Sequence, residues 1–471
     1  MSALSMRRGW CPGARRPMET GDGLLVRVHP PGGVLSAAQA CSLADAAEVC
    51  GNGLLDVTAR GNLQIRGVSE TTHPAVLERL SAIGLLEDEA AEGPYRLTLT
   101  SPLAGIDPGA RFDTAALAEA IERAAKHISL PAKFYIAVDG GGAIRLEPGA
   151  DIWIAPAGDG VAVGLAAGEE YLWHGPIPLA DAATAVARAI DGFTRHRGSA
   201  RRMRDMPPDA AEAIATVSFP VGEGGSAKPR RMGHAEGVFR EAETELLRTV
   251  RPCTNSASPN APSARPIRHA ACGGAPPSPT GKEKGRACAA GFIGASALLL
   301  ALPFGRATAA QLRAAAQWSA THGAGEIRLS FTRGVLIPHL SREAAARIAH
   351  EADATGFVTD PADPRVALVA CPGAPACGRA NTPAPADALA LARAAGGGYR
   401  VHVSACPKGC AHPRTEDLTL VGRPDGRYDV IPGGAAGDEP AAALTLPEIA
   451  AILRRTPHPS GLPAAFEGPE R

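Results

Sequence analysis

The chain has 471 residues, 45% hydrophobic and 4% aromatic, with 48 Lys+Arg balanced by 48 Asp+Glu. The hydrophobic content excludes a disordered chain, and the length sets an expectation of about two to four domains. Zero formal charge excludes a general affinity for nucleic acid or an anionic membrane, so an anionic ligand must be met by a local cationic pocket.

Met1 to Arg16 is Arg-rich and lacks the apolar core of a signal peptide. The first regular element is a strand, Leu24 to Val28, leading through Gly33 into a helix capped by Ser36. Cys41 and Cys50 fall on that helix as small packing residues, and Cys11 lies in a loop before the strand. A second strand contains Arg60-Gly61-Asn62-Leu63-Gln64-Ile65, and a second helix ends near Gly84. A buried strand, Arg96 to Pro102, follows. Next come a helix from Asp113 to Lys126, a strand from Lys133 to Val138 and a closing helix near Leu179 to Thr194.

Composition then shifts. From 197 to 290 the chain reads as a linker. Pro207-Pro208 breaks it, a short helix is expected at Glu236 to Val250, and Pro, Ser, Ala and Asn dominate from Arg251 to Lys284. Cys253, Cys272 and Cys288 lie there without metal-ligand spacing. The most apolar stretch, Ala289 to Phe304, is broken by Gly291 and Gly294 and falls short of the roughly 20 residues of a spanning helix.

The second half repeats the first. Leu298 to Leu302 leads into Gly305 to Gln311, 272 residues after Gly33 to Gln39, with Thr308 in the place of Ser36. With one residue of slippage, Arg333-Gly334-Val335-Leu336-Ile337 answers the Arg60 block, and Gly356 restores the offset from Gly84. Arg365 to Cys371, Pro385 to Ala395, Tyr399 to Ser404 and Pro447 to Arg455 answer the later segments. The order is A1–B1–A2–B2 in an α+β chain, with domains expected at 1–90, 91–196, 291–360 and 361–460 around the 197–290 linker. Two such strand–helix–strand–helix units bury their sheets by packing about a pseudo-twofold axis.

Only B2 carries a cysteine set: Cys371 and Cys377, then Cys406 and Cys410. Four thiolates complete a [4Fe–4S] cube, and the small Pro- and Gly-rich loops between them suit close wrapping and N–H groups aimed at sulfur. A four-cysteine zinc site favours gaps of two to four residues, which the five-residue first gap does not match. Ten cysteines in a chain with no secretory signal point to a reducing compartment, so a cytoplasmic, redox-active protein is expected.

The repeat, the cysteine spacing and the domain order together resemble the sulphite and nitrite reductase superfamily. The resemblance implies two ferredoxin-like half-domains and two α/β cluster-type domains around a tetrapyrrole. Thr58-Ala59-Arg60-Gly61-Asn62-Leu63-Gln64 is similar to that family's tetrapyrrole-contacting Thr-x-Arg-Gln-x-x-Gln block, with Gly61 departing from its first Gln. Arg8-Gly9-Trp10-Cys11-Pro12-Gly13, Pro17 to Leu25 and Cys406-Pro407-Lys408-Gly409-Cys410-Ala411-His412-Pro413 look like the precorrin-3B synthase branch of aerobic cobalamin biosynthesis.

That branch implies a tetrapyrrole substrate, precorrin-3A, hydroxylated with O2 to a γ-lactone, with no sirohaem. It also implies a mononuclear non-haem iron beside the cluster, and no ligand set for it stands out among His29, His339, His402 and His412. No nucleotide-binding glycine fingerprint follows a strand, so electrons from NADH are expected through a partner reductase. Precorrins are polycarboxylates, so Arg60, Arg66, Arg333 and Lys133 are the expected substrate-binding cations, joined by Asn62 and Gln64, with Arg27 and His29 as weaker candidates. A sirohaem-dependent sulphite or nitrite reductase and a non-catalytic tetrapyrrole-binding protein are the alternatives.

Overall fold

The computed structural model describes residues 11–88, 94–147, 149–219, 230–233, 290–294, 296–395, 399–456 and 458–466. They form two compact units, Met1–Glu87 with Ala289–Arg471, and Asp88–Cys288. No described helix is long and apolar enough to cross a membrane.

In the first unit the duplicated halves are interlocked. One five-stranded sheet has the order Met18–Thr20, Gly23–Val28, Leu63–Val68, Leu54–Val57 and Arg306–Thr308. The other runs Gly291–Ile293, Ala297–Ala301, Gly334–Ile337, Glu326–Leu329 and Val34–Ser36. Each sheet therefore takes its edge strand from the opposite half: Ala307 pairs with Leu55, and Leu35 with Ile327. Exchanged strands and two long helices, Ala37–Cys50 and Ala309–His322, merge both halves into one apolar core. Ser36 and Thr308 start those helices with the same capping box, completed by Gln39 and Gln311. Cys50 is buried in this core, and Cys41 packs against it.

The structure keeps the offset at 272 throughout, so the slippage expected from sequence is absent. Thr58 N–H donates to the Asn62 carbonyl and Ser330 N–H to the Gly334 carbonyl, closing equivalent turns. Gly61 (φ 62°) and Arg333 (φ 66°) hold the same left-handed position. Arg333 thus answers Gly61, while Arg60 answers Thr332. The two Arg-Gly pairs are therefore not equivalent: glycine is the residue expected where φ is positive, and arginine occupies that position in the second half.

The same unit carries the cysteine-bearing sheet, ordered Leu368–Ala370, Val401–Ser404, Leu418–Gly422, Tyr428–Pro432 and Ala442–Leu444. Its first three strands are parallel and the rest antiparallel. Helices Ala384–Ala395 and Leu446–Arg455 cover one face, burying Leu391, Val401, Val403, Leu420, Ile449 and Leu453.

The second unit has the same strand logic. Thr98–Thr100, Ile136–Val138 and Ile152–Ala157 run parallel, and Gly160–Ala167, Glu170–Ile177 and Arg230–Gly233 continue antiparallel. Asp113 caps the helix Thr114–Ala125 through the N–H groups of Ala115 and Ala116.

The start of the expected linker is folded. Arg202 pairs with the fully buried Asp151 at 2.9 Å, Met203 N–H donates to the same carboxylate, and the helix Pro208–Ser218 packs on Leu179–His196. Gly192 permits that approach, since a Cβ there would lie 3.0 Å from Ile214. A buried carboxylate needs its partners, which ties residues 202–203 to the sheet. The expected helix at 236–250, the Pro-rich stretch 251–284 and Cys253, Cys272 and Cys288 lie outside the described residues.

Leu35→Ala removes a fully buried side chain from an exchanged strand, and the expected cost is about 2–5 kcal/mol. Denaturant unfolding measures the loss, and hydrogen exchange should rise together at residues 63–68 and 334–337. A rise confined to the first half would contradict the shared core.

Candidate metal centre

Cys371 follows the strand Leu368–Ala370 and Cys406 lies two residues past Val401–Ser404, so the cysteine loops leave the carboxyl ends of neighbouring parallel strands. Such ends are where α/β sheets gather ligands. Cys371 N–H donates to the Val403 carbonyl, and Asn381 N–H to the Ala405 carbonyl, so the loops are stitched together. Gly373 (φ 66°) turns the first loop where a Cβ would meet the Ala384 nitrogen at 2.6 Å. Gly409 (φ 60°) turns the second where a Cβ would meet Ala436 at 2.9 Å.

Ala405 N–H points at Cys371 Sγ, 3.2 Å away. Burial raises the Cys371 thiol above its ordinary value, the N–H groups of Ala405 and Gly373 lower it, and Cys406 and Cys377 raise it again. Cys410 is raised by loss of solvent around its sulfur, lowered by Lys408, and raised by Cys406, Cys371 and Cys377. Among the described residues, no three His, Cys, Asp or Glu side chains form a group that could hold a metal ion. A four-iron cube is larger than an ion, and its thiolates surround a volume instead of a point; four cysteines on two loops at neighbouring strand ends, with N–H groups directed at the sulfur of Cys371, fit such a cluster. Among its described residues the second unit has no cysteine. Ser101 follows Thr100 as Cys371 follows Ala370, and Gly141 stands past Val138 as Cys406 stands past Val403.

The outer face of the first half-domain sheet is polar. One cross-strand row reads Arg27, Gln64, Asp56, Arg306. The equivalent row of the second sheet reads Leu299, Leu336, Arg328, Val34. With the Gln64 amide oxygen turned to the guanidinium, it accepts from Arg27 Nη2 (2.6 Å) and Nε (3.0 Å). Burial pushes Arg27 down, Cys11 opposes this, and Arg60 adds to it. Asn62 is 5% exposed, and its Oδ1 has no hydrogen-bond partner within the protein. Arg60, Asn62 and Gln64 therefore lie together at one end of this face.

Arg66 does not join them as a substrate ligand. Its side chain is 1% exposed and donates to Asp22 Oδ2 (3.0 Å) and Oδ1 (2.6 Å), Asp56 Oδ2 (3.3 Å) and the Ala376 carbonyl (3.0 Å). Desolvation and these partners leave it no face toward a ligand. Arg333 donates to the Ala411 carbonyl at 2.6 Å, next to Cys410. Lys133 is exposed, in a turn before the strand Ile136–Val138 of the other unit. Asp22, Asp56 and Arg306 were not singled out from sequence. The available signal was alternation, since Asp56 lies between the core residues Leu55 and Val57, and Arg306 beside Ala307.

His402 is fully buried on the sheet face opposite Val401 and Val403, and neither ring nitrogen has a partner. Its ring stands 6.0 Å from that of His412, whose Nε2 is 3.1 Å from Glu416 Oε1. Burial, then Arg333, lowers His402 from 6.5 to about 4. Because the unfolded value is higher, the stabilisation from neutral His402 is complete above pH ~6.5 and is lost as pH falls toward the folded value. His402→Phe should flatten this part of the stability profile in denaturant melts between pH 7 and pH 4; an unchanged slope would contradict the burial argument.

A family model described as the nitrite/sulfite reductase ferredoxin-like half domain matches residues 16–83 and 294–355, the two interlocked halves. A precorrin-3B synthase from Sinorhizobium sp. is 32% identical over 94% of this chain and 86% of its own length. A ferredoxin–nitrite reductase from Synechococcus elongatus is 27% identical over 90% of this chain and 82% of its own. The solved structure of the Mycobacterium tuberculosis NirA protein shares the fold, with a TM-score of 0.60 and 22% identity over 92% of this chain and 80% of that one. The chain belongs to the nitrite and sulphite reductase superfamily and, within it, to the family of the precorrin-3B synthase.

Proposed function

We propose that the chain is an iron–sulfur monooxygenase that converts precorrin-3A to precorrin-3B, adding one oxygen atom from O2 with closure of a γ-lactone. The observation that carries this reading is the 32% identity with a precorrin-3B synthase along 94% of the chain. The polar face of the first sheet supports it. Arg27 and Arg60 lie near each other there, beside an Asn62 oxygen that accepts nothing from the protein. Such a surface suits a ligand that brings carboxylates and N–H donors together, as a precorrin does.

In this reading Cys371, Cys377, Cys406 and Cys410 hold a [4Fe–4S] cluster, which supplies one-electron transfer. The cysteine loops fix its place at the strand ends, and the N–H groups of Ala405 and Gly373 temper the charge on Cys371. Arg60, Asn62 and Gln64 orient the substrate, with Arg333 as a further cation for its carboxylates. Putting one atom of O2 into substrate and the other into water consumes two electrons and two protons. A reductase partner oxidising NADH delivers those electrons; for the mononuclear iron that the resemblance implies, no group of three His, Cys, Asp or Glu side chains is gathered among the described residues, so no step is assigned to it.

Incubation of the anaerobically prepared protein with precorrin-3A, NADH, a reductase and O2 should give a product heavier by one oxygen atom. Cys406→Ser should abolish product while retaining precorrin binding. Product formation at the wild-type rate by that variant would remove the cluster from the reaction. The similarity to ferredoxin–nitrite reductase favours a second reading, a sirohaem reductase. A sirohaem band in the visible spectrum would select it, and a spectrum of the cluster alone would select the monooxygenase.

A further inference from the structure

The strongest unexplained feature is the chain of charges between the first sheet and the first cysteine loop. Arg66 forks onto both oxygens of Asp22 and reaches Asp56, and Asp56 is itself forked by Arg306 at 2.8 and 3.1 Å. Two carboxylates and two guanidiniums balance, which is the condition for keeping such groups out of water. Arg66 Nη2 also reaches the Ala376 carbonyl, one residue before Cys377. The same carbonyl accepts from Gly21 N–H at 3.2 Å. Gly21 is held so close that a Cβ would lie 2.3 Å from the Pro375 oxygen. Arg306, at the other end, is raised: burial lowers it, Asp56 more than compensates, and Asp22 and Cys371 add to the effect.

We propose that Arg66 is a positioning residue for the metal centre, holding the loop from Cys371 to Cys377 by its Ala376 carbonyl while Asp22 and Asp56 hold Arg66. The second loop is held in the same manner from the other half, where Arg333 donates to the carbonyl of Ala411, one residue after Cys410. Each ferredoxin-like half thus contributes one guanidinium to a carbonyl adjacent to a cluster cysteine. The proposal rests on the cluster reading above, and it assigns Arg66 a role in fixing the cluster's surroundings instead of in binding substrate. Lysine keeps the charge at this position but has three donors on one nitrogen and no planar fork, so it cannot make all four bonds, to both Asp22 oxygens, Asp56 and the Ala376 carbonyl.

The test compares wild-type protein with Arg66→Lys as full chains, before and after anaerobic reconstitution with iron and sulfide. The variant should melt in the same cooperative transition. Hydrogen exchange over residues 371–380 should be at least tenfold faster, with residues 54–68 unchanged. In the reconstituted protein the reduced-to-oxidised ratio at fixed potential should change at least tenfold, a shift of about 59 mV for one electron. Wild-type exchange in the loop together with a wild-type potential would overturn the proposal. Should the lysine variant not fold, Asp22→Asn, which keeps an acceptor oxygen but loses the charge, must show the same loop-local exchange, and its absence would overturn the proposal equally. Loop exchange in the cluster-free protein tests the clamp alone. Failure of wild-type protein to take up iron and sulfide would count against the cluster reading.

Discussion

A guanidinium removed from water must find fixed acceptors, and in this protein that requirement joins the first half-domain sheet to the first cysteine loop. Arg66 is satisfied by two carboxylates from the first half and a carbonyl from the cysteine loop. Truncating such a side chain would leave Asp22 without its guanidinium and Asp56 with Arg306 alone, at a cost of about 3–5 kcal/mol. The exchanged strands matter for the same reason. Arg306 reaches Asp56 only because its strand has crossed from the second half into the first sheet.

Duplication supplied one backbone design used for two chemical surfaces. Both halves bury the same kind of apolar face, Val26, Val28, Leu63 and Ile65 in one and Leu298, Leu300, Val335 and Ile337 in the other. Their outward rows have diverged, to Arg27, Gln64, Asp56 and Arg306 against Leu299, Leu336, Arg328 and Val34. Alternation along a strand permits this, since every second residue can change without disturbing the core. The cluster-type domains diverged in a similar way, with Ser101 and Gly141 where the second copy has Cys371 and Cys406.

The parts legible in the sequence were those with short-range signatures. Ser36 and Thr308 announced their helices, and the spacing of Cys371, Cys377, Cys406 and Cys410 announced two loops. What stayed hidden depends on partners distant in sequence. Arg66 reads as a polar residue on a strand until Ala376 is placed beside it, 310 residues away. The pairing of Arg60 with Arg333 followed identity, whereas the turn hydrogen bonds of Thr58 and Ser330 set the true register. Residues 202–218 looked like linker because Pro207-Pro208 is a breaker by local rules, yet Asp151 and the helix Leu179–His196 hold the segment in place.

The proposed function requires the cysteine loops to hold one four-iron cluster. Anaerobically reconstituted protein, assayed for iron and acid-labile sulfide and examined by electron paramagnetic resonance after reduction, tests this most directly. The expected result is about four of each per chain with a single cluster signal, lost when any one of Cys371, Cys377, Cys406 or Cys410 is serine. Stoichiometric zinc without sulfide, or a cluster signal unchanged by those four substitutions, would contradict it.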